Sequence, residues 1–210
     1  MRLFGPEIFV PAVWLLGRAY FGVRFEGVEN IPKAGPLIIA PNHVTYADPP
    51  LVTLPMPRPV YFMAWNRLFD VPLLGRVIRF FRAFPLETQS ADPTAVRGAA
   101  RLLKAGQAVM IFPEGRRTPD GRLQRFKPGA FRLACSLGAP IVPVTIVGGH
   151  EAWPPQRTFP RPGRITIVYH PPLTPAPGVP SRVAAPELAR RVRAAIASRL
   201  PPHQQPLDGD

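Results

Sequence analysis

The sequence predicts an α/β fold: a single-domain sandwich whose central mixed, mostly parallel sheet is flanked by helices. Three observations lead there. Short apolar runs of strand type alternate with segments of helical periodicity, the pattern that lays helices against a largely parallel sheet. Neither a repeat nor a long linker divides the 210 residues, so one domain is expected. Hydrophobic residues make up 46% of the chain and aromatics 10%, enough to fill a core. A domain of this size buries roughly 70% of its unfolded surface.

The elements follow in order. Ile8 to Leu16 is an apolar run interrupted by Pro11 and closed by Gly17-Arg18, well short of the ~20 residues a helix needs to cross a bilayer. Trp14, Tyr20 and Phe21, flanked by Arg2, Arg18 and Arg24, have the character of an interfacial anchor. Residues 1–19 are therefore expected to form a short membrane-interfacial helical segment; a first helix packed on the core fits the run equally. Strands are expected at Val23–Val28, Pro36–Ala40, Val60–Ala64, Ala83–Glu87, Ala108–Phe112, Ile141–Val147 and Arg164–His170. Pro143 implies a bulge or an edge in Ile141–Val147, because proline brings no N–H to a ladder. Helices are expected at Arg67–Phe81, broken near Pro72 and Gly75, and at Asp92–Ala105, opened by a capping aspartate and Pro93. Pro128–Leu137 and Pro186–Leu200 complete a folded domain over 20–200, and the polar, proline-rich residues 201–210 read as a flexible tail.

A net charge of +13 arises almost wholly from arginine, the lysines being Lys33, Lys104 and Lys127. Such a surplus favours an anionic partner, and guanidinium groups grip phosphate in a bidentate way that an ammonium cannot. Nucleic acid is disfavoured, because most aromatics fall within apolar runs instead of alternating with exposed cations. Cys135 stands alone, so neither an internal disulfide nor a thiolate cluster can form, and its apolar surroundings suit a small buried side chain. Histidines 43, 150, 170 and 203 lack zinc-ligand spacing, so no metal site is expected. A Gly-x-Ser-x-Gly nucleophile elbow is also missing from the sequence.

Two strand-to-turn junctions carry the chemistry. The run Pro36–Ala40 leads into Pro41-Asn42-His43-Val44-Thr45-Tyr46-Ala47-Asp48, placing a histidine just past the end of a buried strand, where open α/β sheets hold their ligands. Asp48 lies five residues on, about 140° away on a regular helix, so the two side chains meet only if a turn intervenes. If they meet, the carboxylate fixes the tautomer of the ring and frees its other nitrogen to take a proton. Asp48 before Pro49 equally suits a helix N-cap. The second junction, Ile111-Phe112-Pro113-Glu114-Gly115-Arg116-Arg117-Thr118, sets Glu114, Arg116 and Arg117 around a glycine that permits close approach, a corner fit for phosphate or an ordinary solvated turn. Arg125-Phe126-Lys127-Pro128-Gly129 adds two cations at a helix start, which fits best if an anion sits between them.

Taken together, His43-x4-Asp48, Phe112-Pro113-Glu114-Gly115-x-Arg117-Thr118, Phe126-Lys127-x-Gly129 and Val142-Pro143-Val144 resemble the ordered motif blocks of the glycerolipid acyltransferases, and among these the bacterial 1-acylglycerol-3-phosphate type. The resemblance covers roughly residues 20 to 175. It implies His43 as general base and Asp48 as its orienting partner. It also implies an acceptor site drawn from Asn42, Glu114, Gly115, Arg116, Arg117 and Lys127. The implied substrates are a lysophospholipid acceptor and an acyl thioester donor, acyl-CoA or acyl carrier protein, with no further cofactor. The implied place of work is the anionic cytoplasmic face of the cell membrane, held peripherally or monotopically.

Departures from the family pattern cluster on the acceptor side. Thr88, in Phe84-Pro85-Leu86-Glu87-Thr88, stands where members usually carry an arginine. Ala64-Trp65-Asn66-Arg67-Leu68-Phe69 stands for the usual Ala-Lys-x-Glu-Leu-Phe, and Arg116 for a common threonine. The same chemistry on another lysophospholipid or a lyso-aminolipid is therefore the alternative reading. A non-catalytic basic module on anionic membranes is the alternative of another class. A hydrolase is disfavoured, since an arginine-rich pocket for an anionic acceptor would serve no purpose in one.

Overall fold

A computed structural model describes residues 10–86 and 93–207. Its centre is a seven-stranded sheet in the order β1-β7-β6-β2-β5-β3-β4. The strands are β1 (Arg24–Glu26), β2 (Leu37–Pro41), β3 (Val60–Trp65), β4 (Ala83–Leu86), β5 (Ala108–Met110), β6 (Ile141–Val147) and β7 (Thr166–Tyr169). Every pairing is parallel except that of β6 with β7. The expected mixed, mostly parallel sheet is what forms.

The centre of the sheet is apolar on both faces, as a covered parallel sheet requires. On β2, Leu37 and Ile39 face one core with Met110, Val142 and Val144, while Ile38 and Ala40 face the other with Val109 and Ile141. The first core is closed by α2 (Asp48–Thr53), through Leu51 and Val52. The end of α1 (Val10–Phe21) adds the half-buried Phe21 to it. The second is closed by α4 (Pro93–Lys104), α5 (Gly129–Leu137) and α7 (Ser181–Ala197), which contribute Leu103, Phe131 and Val192. Ile38 and Ile39 are fully buried on opposite faces, and truncating either to alanine would cost about 2–5 kcal/mol through lost contact and cavity.

Several elements differ from their sequence expectation for identifiable reasons. Pro143 lies in an interior strand, not at an edge or bulge: the ladder with β7 begins at Val144 opposite Tyr169, so the missing N–H falls just beyond it. The carbonyl of Pro143 still accepts the amide of His170 at 3.0 Å. The last helix starts at Ser181, with Pro186 inside it, because its buried stripe of Ala184, Ala185, Leu188, Val192 and Ile196 begins before the proline. The stretch 67–81 breaks as expected, into a 3-10 turn at Asn66–Phe69 and α3 (Leu74–Phe80). Residues 201–207 are anchored, not a loose tail: Gln204 is 1% exposed, its carbonyl accepts the Leu123 amide at 3.0 Å, and its side-chain amide donates to Glu151 at 2.7 Å.

Of the expected interfacial segment, residues 1–9 lie outside the described residues, as do Glu87, Thr88 and the proposed cap Asp92. Helix α1 rests on the domain at Gly17, where an added β-carbon would lie 3.5 Å from Leu51 Cδ2, and through the Tyr20 hydroxyl, which donates to the Pro160 carbonyl at 3.1 Å. Leu15 on the same helix is 62% exposed. Among the described residues no helix is long and apolar enough to cross a membrane.

Candidate active site

Three neighbouring strands end side by side. The loop after β2 carries His43, the turn after β5 carries Glu114 to Arg117, and β6, paired to the other side of β2, ends at Gly148 and α6 (Gly149–Ala152). Parallel strands place their carboxyl ends together, which is why residues distant in sequence share this site.

His43 and Asp48 meet. The Nδ1 atom of His43 lies 2.8 Å from Asp48 Oδ2, which also accepts the backbone amides of Val44 at 2.7 Å and Thr45 at 2.9 Å. The turn that lets them meet is irregular chain over 42–47, and Asp48 is the first residue of α2. Its carboxylate thus braces the loop before the helix; the N-cap position falls to Ala47 with no side-chain cap, so Asp48 is not the helix cap the sequence offered. Asp48 is fully buried, while the His43 side chain keeps 19% exposure. A carboxylate accepts and does not donate, so Nδ1 carries a proton in this pair. The ring also stacks on Phe112, centroids 3.8 Å apart and planes 21° from parallel, which leaves it little freedom to rotate.

Behind the ring, Glu114 holds two loops at once. Its Oε1 accepts the His43 amide at 2.9 Å and its Oε2 accepts the Gln124 amide at 3.1 Å. Thr118 adds a third tie, its amide donating to the His43 carbonyl at 2.8 Å. Burial pushes the Glu114 carboxyl up to about 7, against the opposing pull of its two backbone donors. With 4% exposure and both oxygens engaged by backbone amides, Glu114 fixes the histidine loop. Asn42 is likewise engaged with backbone. It is 2% exposed, and its side chain closes a two-bond ring with the backbone of Ile146, donating at 3.0 Å and accepting at 2.7 Å. That ring fastens the end of β2 to β6.

The cations line the open side. Arg117 lays its guanidinium over the Tyr46 ring, 3.4 Å from the centroid, which ties the second charged turn to the His43–Asp48 loop. Its Nη1 is buried without a hydrogen-bond partner, a donor an anion would satisfy. Gly115 adopts φ +72°, and a β-carbon there would stand 2.8 Å from the Lys127 ammonium nitrogen, so the lysine chain crosses directly over the glycine. The Lys127 amide donates to the Pro113 carbonyl at 2.8 Å, holding the second cationic loop against the first. Arg116 is exposed beside them.

Some contributors carried no sequence signal. Gln124 acts on Glu114 through its backbone, which no side-chain pattern could reveal. Arg193 lies far along the chain on α7, yet its charge reaches Glu114. Gly149 backs the histidine loop: a β-carbon there would lie 2.6 Å from Val44 Cγ2 and 3.0 Å from Thr45 Cγ2. The Gly148-Gly149 pair after an apolar strand was a visible cue to such close approach.

The chain is similar to known acyltransferases. A 1-acyl-sn-glycerol-3-phosphate acyltransferase of Arabidopsis thaliana chloroplasts is 29% identical over 173 residues, 79% of this chain and 48% of that protein. A Bacillus subtilis protein of the same name is 32% identical over 130 residues, 60% of this chain and 63% of that one. The crystal structure of the 1-acyl-sn-glycerophosphate acyltransferase of Thermotoga maritima superposes with a TM-score of 0.73 at 28% identity, covering 92% of this chain and 78% of that chain. The chain spans about half the length of the plant chloroplast relatives it matches. The profile of the family described as Acyltransferase matches residues 22–147, the stretch that builds β1 through β6 and both charged turns. On that match the chain belongs to the acyltransferase family.

Proposed function

We propose that the protein transfers a fatty acyl group from a thioester donor to the free hydroxyl of 1-acylglycerol-3-phosphate, forming phosphatidic acid for phospholipid synthesis. One observation carries the reading: His43, held through Nδ1 by Asp48 and still partly exposed, sits on the same loop as Tyr46, whose ring carries the guanidinium of Arg117. In this mechanism Nε2 takes the proton of the acceptor hydroxyl as its oxygen attacks the thioester carbonyl. The tetrahedral adduct then expels the thiolate, which recovers the proton from the imidazolium. Asp48 stabilises that imidazolium while it exists. Arg117 and Lys127, with Arg116 at the edge, hold the acceptor phosphate at the distance the hydroxyl requires. The reaction so written balances without an acyl-enzyme, a metal or a prosthetic group; the donor, acyl-CoA or acyl carrier protein, is a second substrate.

An acceptor with a long acyl chain resides in membrane, so the protein is read as working peripherally or monotopically at an anionic membrane surface, on the cytoplasmic face where thioester donors are made. Supporting this are the net charge of +13 and the exposed Leu15 and Tyr20 on α1. Deleting Met1–Gly17 should then release protein from vesicles.

The deciding experiment gives purified protein a long-chain acyl-CoA and a panel of lyso-acceptors, following thiol release and lipid mass together. Phosphatidic acid appearing in step with thiol is the expected result. Thiol release without an acceptor would assign a hydrolase, and preference for another lysophospholipid or a lyso-aminolipid would move the assignment to that acceptor.

A further inference from the structure

Apolar exposure is concentrated in one place. Trp65 at the end of β3, Val71 and Leu73 on the loop after the 3-10 turn, and Leu74, Val77 and Phe80 on α3 are each between 38% and 71% exposed. Among them run Arg67, Arg76 and Arg79, with Arg82 just beyond and Asp70 as the acid of the stretch. The guanidinium of Arg67 lies over the Trp65 ring at 5.4 Å and that of Arg79 over the Phe69 ring at 5.0 Å, so positive charge and aromatic surface interleave on this face. Leu73, the most exposed of the set, adopts φ +66°, a conformation a leucine rarely holds, and it turns the side chain away from the core. The face is firmly mounted nonetheless. Gly75 presses its α-carbon against the Phe69 backbone, where any β-carbon would collide.

We propose that this face docks the protein onto an anionic phospholipid bilayer, as a contact distinct from the N-terminal segment; the inference rests on the reading of an amphiphilic acceptor. A run of exposed large apolar side chains rimmed by charge is the kind of surface that marks an interaction site. An apolar crown rimmed by arginines matches the boundary between acyl chains and anionic head groups in both hydrophobicity and charge. A protein partner of ordinary composition supplies no such layered complement. Position favours the same occupant. Trp65 ends β3, which pairs with β5 as β5 pairs with β2, so Trp65 and His43 leave the same end of the sheet two strand spacings apart, about 10 Å. Phe112, stacked on His43, follows the strand between them. A lipid entering from this face therefore meets an aromatic path to the histidine.

The test measures partitioning of the full chain onto vesicles of phosphatidylcholine with and without phosphatidylglycerol. Leu73→Asp combined with Val77→Asp should weaken binding to the anionic vesicles at least tenfold. Turnover of a short-chain, monomeric lyso-acceptor should change less than twofold, which also reports an intact fold. Arg76→Glu should weaken binding to anionic vesicles about fivefold or more and leave the neutral vesicles unaffected. Binding of the double variant within twofold of the parent would overturn the proposal. So would a parent that sediments as a dimer and a variant that sediments as a monomer, which assigns the face to a second copy. Partitioning is scored apart from turnover, so a chain without transferase activity still decides the docking.

Discussion

Glu114 accepts the backbone amide of His43 at 2.9 Å, so a buried carboxylate from one turn positions the histidine carried by another. The same side chain accepts the amide of Gln124, and Thr118 binds the His43 carbonyl, leaving the loop few ways to move. Effective proton transfer depends on such placement, because a reacting group displaced by about 1 Å loses on the order of a hundredfold in rate. The arrangement separates residues that would perform the chemistry from residues that hold them.

The first prediction concerns the pair itself. His43→Ala should lower kcat by about 10²–10⁴-fold or more, with thermal unfolding close to the parent, since the ring is partly exposed. Asp48→Asn should lower kcat by a comparable factor. Asp48→Ala should in addition destabilise, because the buried amides of Val44 and Thr45 lose their acceptor at about 1–3 kcal/mol each. Steady-state kinetics with calorimetry separates the two effects, and unchanged turnover in His43→Ala would end the mechanism.

A second prediction follows from Glu114. Its folded-state pKa near 7 lies above the ordinary value of 4.5, so between those values the native state binds more protons than the unfolded chain. Its contribution to stability is thus fully present below pH ~4.5 and is lost as pH rises through 7, an effect on the order of 3 kcal/mol if the whole shift is realised. In Glu114→Gln that slope should vanish. The variant should also be less stable at low pH, since one of the two backbone amides loses its acceptor. Unfolding midpoints measured from pH 4.5 to 8 on both proteins decide it, and parallel curves would refute the assignment.

Arg117 should prove specific to the acceptor. Arg117→Ala should raise the acceptor KM about tenfold or more with little change in donor KM, and Arg117→Lys should not restore it. An ammonium neither stacks on Tyr46 in a plane nor offers a fork of donors to phosphate. An effect confined to the donor would remove the arginine from the phosphate site.

Gly149 offers a test of positioning without loss of any functional group. In Gly149→Ala the new methyl would press on Val44 and Thr45 beside Asp48, an overpacking of about 1–3 kcal/mol. We expect kcat to fall while the acceptor KM changes little. Gly129→Ala, where nothing lies within 4 Å, serves as the control and should leave both constants alone.

The sequence by itself determined the sheet and the chemistry carried at its strand ends. Leu37–Pro41 is apolar at every position and Ile141–Val147 at all but Thr145, and burial on both faces is the physical reason a strand reads that way. His43 with Asp48, and Arg117 with Lys127, were legible because their chemistry resides in their own side chains and their spacing is local. Tertiary structure decided what those side chains face. The resemblance offered Glu114 and Asn42 for the acceptor site; the structure adds that both are buried and bonded to backbone groups 71 and 104 residues away in sequence. Gln204, polar in a proline-rich stretch, is fixed by contacts to Leu123 and Glu151 that leave no local trace. Backbone hydrogen bonds between distant segments carry no residue signature, so the frame that holds this site becomes visible when the parallel strands are brought together and their ends meet.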